Sequence, residues 1–127
     1  MQWMTLFSVM VGGAVGAGLR YGLAGLMAGW VIMGVPLPIL VINALGSCLL
    51  GVMVEGFALK WTVAPHIHAA LTIGMMGGLT TFSTFSMEAY LMIQKHQMAE
   101  AAAYIIGSAV VSIAAFAFGM HVIKFFN

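Results

Sequence analysis

Four stretches of this chain carry no Asp, Glu, Lys or Arg: residues 1–19, 21–54, 61–87 and 101–123. Each reaches the ~18 residues at which an apolar run becomes a candidate membrane span. A helix of ~20 residues crosses the ~30 Å hydrocarbon layer, so four spans with short turns consume most of the 127 residues. The composition agrees. Hydrophobic residues make up 63% of the chain and charged ones 6%, against roughly 25% charged in soluble domains. Transmembrane strands fit poorly, because the runs are rich in Gly, Ala, Met and Leu and lack dyad alternation. The expected fold is therefore an all-α membrane protein, a single four-helix transmembrane domain over residues 1–127 with no extramembrane domain.

Turn residues divide the runs. Helix one is expected over about 5–29, with Gly12 and Gly16, Gly18 and Gly22, and Gly25 and Gly29 each four apart, a spacing that lets helices approach closely in lipid. Pro36 and Pro65 suit the first turn of a helix, which places helix two at about 36–60 and helix three at about 66–94. After Lys95-His96-Gln97, helix four covers about 98–123. No Lys or Arg precedes the first apolar run, so a cleaved signal peptide is not indicated. The lone Cys48 permits no intrachain disulfide. A net charge of +1 gives no reason to expect nucleic acid as a partner.

Lys60 and Lys124 lie on the N-terminal side of the membrane, Lys95 and Arg20 toward the other. Two against two leaves little of the positive-charge bias that orients membrane proteins. Such a chain either inserts weakly one way or inserts both ways, and in the second case opposite copies can pair about an axis in the membrane plane.

Polar groups at membrane depth are costly and usually functional. Helix two carries Asn43 and Glu55. Helix three carries Gly77-Gly78-Leu79-Thr80-Thr81-Phe82-Ser83-Thr84-Phe85-Ser86, two glycines followed by five hydroxyls, all of which weaken a helix. One reading is a helix break, whose freed carbonyls would suit a small hard cation such as Na⁺. The other is a small-residue contact with hydroxyls bonded back to their own helix. Tyr104, Ser108 and Ser112 fall on one stripe of helix four, either a track of hydroxyl donors for an anion or interhelical hydrogen bonds. Phe82 and Phe85 face lipid or aim positive ring edges into a pore, and Asn43 adds an uncharged donor. Arg20 snorkels to the interface or draws anions to a vestibule. Glu88 follows the hydroxyl cluster and is placed to cap or orient it. His66, His68, His96 and His121 have no metal-ligand spacing. No nucleophile–base pair or phosphate loop is present, so enzyme activity is not expected.

The chain resembles the Fluc (CrcB) family of fluoride channels along nearly its whole length. The resemblance is carried by Gly12-Gly13-Ala14-Val15-Gly16-Ala17 with Arg20-Tyr21, by Asn43-Ala44-Leu45-Gly46-Ser47, and by Gly77 through Ser86 with Glu88. It implies a dual-topology antiparallel homodimer in the bacterial inner membrane, broken in the third helix, exporting fluoride passively through two pores to relieve its toxicity. It implies that Asn43, Phe82, Ser83, Thr84, Phe85, Tyr104, Ser108 and Ser112 line the ion path. It further implies a structural Na⁺ held by the backbone carbonyls of Gly77 and Thr80 from both chains. The alternative of similar size is a four-helix dual-topology multidrug–proton exporter. That activity needs an embedded carboxylate, characteristically in helix one, where this chain has Arg20 and no acid.

Overall fold

The structure is a computed structural model that describes residues 2–127. It is mostly helical. Helix α1 spans Trp3–Leu26, a short antiparallel hairpin pairs β1 (Val31–Ile32) with β2 (Val35–Pro36), and α2 spans Pro38–Leu59. The chain returns through α3 (Pro65–Ala69), a π-helical segment (Ala70–Met75), α4 (Met76–Leu79) and α5 (Ser83–Gln94), and ends in α6 (Met98–Phe125). Helices α1, α2 and α6 are each long and apolar enough to cross a membrane, and the molecule is a multi-pass membrane protein. The passage from Pro65 to Gln94 is interrupted, so no single helix in it reaches that length.

Several boundaries differ from the sequence expectation. Helix α1 stops at Leu26 rather than Gly29: Met27 already leaves helical angles at φ −98° and ψ 9°, and Gly29 follows at φ +83°. Pro36 lies in β2, and it is Pro38 that opens α2. The turn expected between helices one and two takes the form of this hairpin, built from residues as apolar as the spans around it. Its tip, Met33-Gly34, holds two positive φ angles, 51° and 82°, the pattern of a two-residue hairpin turn that matches strand twist. The Leu37 amide closes it by donating to the Trp30 carbonyl at 3.0 Å. At the next turn His96 also takes a positive φ, 59°. There the Gln97 amide donates to the Met92 carbonyl and the His96 amide to the Ile93 carbonyl, the paired bonds that terminate a helix on a left-handed residue.

Two helix pairs build the body. Helices α2 and α6 make the most extensive contact and run in the same direction, with Leu40 near Tyr104 at one end and the Lys60 ammonium donating to the Phe126 carbonyl, 2.9 Å, at the other. The Pro65–Gln94 passage must therefore cross back between them. The approach depends on small residues: a Cβ at Gly51 would strike the Phe116 carbonyl, and one at Gly119 the Cys48 carbonyl. The second pair is α1 against α3, the π segment and α4. Gly12 abuts the Ala70 carbonyl, Gly16 the Met75 carbonyl, and Gly78 the Gly13 carbonyl at 2.5 Å from its Cβ position. Only part of the α1 glycine stripe packs within the chain; Gly18, Gly22 and Gly25 have no described atom within 4 Å of their Cβ positions.

Candidate functional site

The break in the third passage falls at Thr80-Thr81-Phe82, just past the two glycines; Gly77 and Gly78 are still helical. Thr80 is extended, φ −83° and ψ 158°. Its hydroxyl and its amide both donate to the Met76 carbonyl, at 2.9 and 3.0 Å, which seals the end of α4.

What opens the helix is a side chain from α2. The Thr81 amide donates to Asn43 Oδ1 at 2.8 Å, and Asn43 Nδ2 donates to the Thr81 carbonyl at 3.0 Å. The Asn43 carboxamide thus occupies both backbone groups of Thr81 as a neighbouring strand would. The Thr81 hydroxyl accepts the Thr84 amide at 3.1 Å and lies 3.3 Å from Ser83 Oγ. From one residue before the N-cap Phe82, it satisfies a free amide of the first turn of α5. In a continuous helix the Thr81 amide would bond to the Gly77 carbonyl and the Thr84 amide to the Thr80 carbonyl. Both donors are directed elsewhere.

Against the break lies a cavity of about 300 Å³. Asn43, Phe82, Phe85, Ser108 and Ser112 line it, together with Ser47, Thr80 and Thr81. Ser108 is 5% exposed and its Oγ has no hydrogen-bond partner among the described residues. Phe82, 79% exposed, stands 5.5 Å ring to ring from Phe85, and Phe85 5.2 Å from Tyr104, giving an aromatic ladder from the cavity into the core. Tyr104 is fully buried at its inner end and donates a short hydrogen bond to Glu88 Oε2. Glu88 is thereby joined to Tyr104 across the turn between α5 and α6.

Not every candidate converges. Ser83 and Thr84 lie in the first turn of α5, outside the cavity lining. Tyr104 does not line the cavity but packs on Phe85, which does. Arg20 is half-buried on α1 and donates no hydrogen bond among the described residues. Glu55 is buried in α2 on the side toward the Lys60 end. Among the described residues no three His, Cys, Asp or Glu side chains gather to hold a metal. Two polar lining residues, Ser47 and Thr81, are not among the sequence candidates. Ser47 lies one turn beyond Asn43, a spacing visible in the sequence. Thr81 stood within the hydroxyl cluster, but nothing local distinguishes it from its neighbours.

A family model described as CrcB-like protein, camphor resistance (CrcB), matches residues 7–120. Among curated relatives, the fluoride-specific ion channel FluC of Nitrobacter winogradskyi is 39% identical over 125 residues, covering 98% of each chain. That of Erythrobacter litoralis is 40% identical over 124 residues, covering 94% of this chain and 91% of its own. That of Geobacter metallireducens is 38% identical over 112 residues, covering 87% and 90%. With a match of this extent across the helices that build the cavity and the break, the chain belongs to the CrcB-like family.

Proposed function

We propose that this protein is a channel that lets fluoride leave the cell passively across the bacterial inner membrane, relieving fluoride toxicity. The observation that carries the reading is the buried Ser108 hydroxyl, a donor without a hydrogen-bond partner among the described residues, on the wall of the cavity. Its companions are donors and ring edges rather than fixed positive charges: Ser47, Ser112, the second Nδ2 hydrogen of Asn43, and the rings of Phe82 and Phe85. Such a lining attracts a small anion without holding it too tightly to pass. The first turn of α5 adds the positive end of a helix. The relatives named above are fluoride-specific ion channels, and the exporter alternative finds no support in α1, which carries Arg20 and no carboxylate.

The test is efflux from liposomes holding the purified protein. Fluoride should leave electrogenically without a pH gradient, and chloride should leave far more slowly. Equal fluoride and chloride rates, or drug–proton exchange, would overturn the reading.

The working unit in this proposal is an antiparallel pair inserted both ways up. The charge balance supports it, with Lys60 and Lys124 at one end and Lys95 and Arg20 at the other. So does the outward face of the break: Gly77 is exposed, with no described atom within 4 Å of its Cβ position, and Phe82 beside it is exposed. Single cysteines placed near either end in a Cys48→Ala background should each react about half from each side of the membrane; one-sided labelling would refute dual insertion.

A structural Na⁺ fits the same segment. The Gly77 and Thr80 carbonyls have lost their helical donors, and at this depth each unsatisfied group costs several kcal/mol. Carbonyl oxygens are hard ligands suited to such an ion. Bound there, Na⁺ would supply charge to those carbonyls and tie two copies together.

A further inference from the structure

We propose that Thr81 is a positioning residue for this carbonyl site: its hydroxyl, by taking the Thr84 amide, keeps the Thr80 carbonyl available to a cation. The proposal rests on the Na⁺ reading and concerns how the protein holds that site open.

The argument begins with competition for one donor. The Thr84 amide has two candidate acceptors, the second reachable only if Thr80, now extended at ψ 158°, returns to helical angles. One is the Thr81 hydroxyl, which it uses at 3.1 Å. The other is the Thr80 carbonyl, which it would use if the helix resumed. Side-chain acceptors of this kind compete directly with the helical bond. Thr84 is itself half-buried, so water competes for its amide less freely than it would at an open surface. An amide deprived of the hydroxyl would therefore turn to Thr80, and the carbonyl would be consumed by the helix.

The hydroxyl is well fixed for this task. Both backbone groups of Thr81 are bonded to Asn43, at 2.8 and 3.0 Å, so the residue cannot rotate freely. The Ser83 hydroxyl sits 3.3 Å away as the second partner of Thr81 Oγ1. Asn43 removes the donor that the Gly77 carbonyl would have had, and Thr81 removes the one for Thr80. One polar side chain thus guards each carbonyl. Asn43 also lines the cavity, so the same staple joins the wall of the ion path to the cation site.

Substitutions separate this role from ordinary packing. Thr81→Val keeps the shape and deletes the acceptor; Thr81→Ser keeps the acceptor and deletes a methyl. Thr72→Val serves as a control, because the Thr72 hydroxyl only donates back to the His68 carbonyl of its own helix. Each purified protein is melted across a series of Na⁺ concentrations, with a large organic cation making up the ionic strength, and fluoride efflux is read over the same series. Thr81→Val should raise the Na⁺ concentration for half-maximal stabilisation by roughly tenfold, the scale set by losing a helix cap. Thr81→Ser and Thr72→Val should stay near the parent value. Should the valine protein not fold, Thr81→Ala against Thr81→Ser gives the same comparison. A parent protein with clear Na⁺ dependence and a Thr81→Val protein with the same midpoint would overturn the role of Thr81 alone. A parent protein insensitive to Na⁺ by both readouts would overturn the cation site and this proposal together.

Discussion

Replacing Asn43 with alanine is expected to reduce fluoride efflux by two orders of magnitude or more. The amide of Asn43 satisfies the Thr81 N–H and C=O together, and its removal strands both at membrane depth. A buried polar group left without a partner costs about 1–3 kcal/mol. Two such groups shift the balance between broken and continuous helix by roughly 2–6 kcal/mol, and 1.4 kcal/mol is about a tenfold change in population. The chain escapes the penalty by returning the Thr81 amide to the Gly77 carbonyl, which closes the break and redirects Phe82 and Phe85. Asn43→Asp is a sharper probe. It keeps the acceptor for the Thr81 amide but loses the donor to the Thr81 carbonyl, and it sets a negative charge on an anion's path. Its efflux should also collapse, even where its thermal stability remains closer to that of the parent. Normal efflux from Asn43→Ala liposomes would show that the break persists without its staple.

Phe85→Ile is expected to slow fluoride by tenfold or more while the protein still folds. Phe85 is the middle rung between Phe82 and Tyr104, with centroid separations of 5.5 and 5.2 Å, and it packs against both buried clusters of the molecule. Isoleucine fills part of that volume but presents no positive ring edge. Aromatic pairs contribute about 0.5–1.5 kcal/mol each beyond their buried area, so losing two of them weakens the site more than it threatens the fold. The expected signature is a fall in efflux with a modest drop in melting temperature. Unaltered efflux from Phe85→Ile would make the ring a packing element only. Phe82→Ile should affect efflux too, with little cost in stability, because that ring is largely exposed in the chain.

The sequence spoke clearly where a property is local and repetitive. Helices α1, α2 and α6 follow from uninterrupted hydropathy, and the density of Gly, Thr and Ser in residues 77–86 signalled an interruption of the third passage. It did not signal the place. Glycines lower the cost of leaving a helix, but they do not supply an alternative bond for the backbone. That bond comes from Asn43, 38 residues earlier in the chain, and so the break falls at Thr80–Phe82 where Asn43 can reach. The partnership of Glu88 with Tyr104 is hidden for the same reason, since it joins two helices across a turn. A reversal between residues 29 and 36 was legible from Gly34 and the prolines, but its hairpin form was not, since the paired strands Val31–Ile32 and Val35–Pro36 are as apolar as the spans beside them. Ser47 was legible as the next helical turn after Asn43.

The parallel pairing of α2 with α6 has a consequence for assembly during synthesis. The two halves of this largest contact are separated by the whole Pro65–Gln94 passage and its turn, so α2 must wait in the bilayer without its main neighbour while that passage is threaded. In the interval the Asn43–Thr81 staple can already form, whereas Ser108 and Ser112 are still to be made. The cavity is thus completed from one side: its broken-helix wall is set first, and the hydroxyl wall arrives with the final helix, which packs against Gly51 and Cys48.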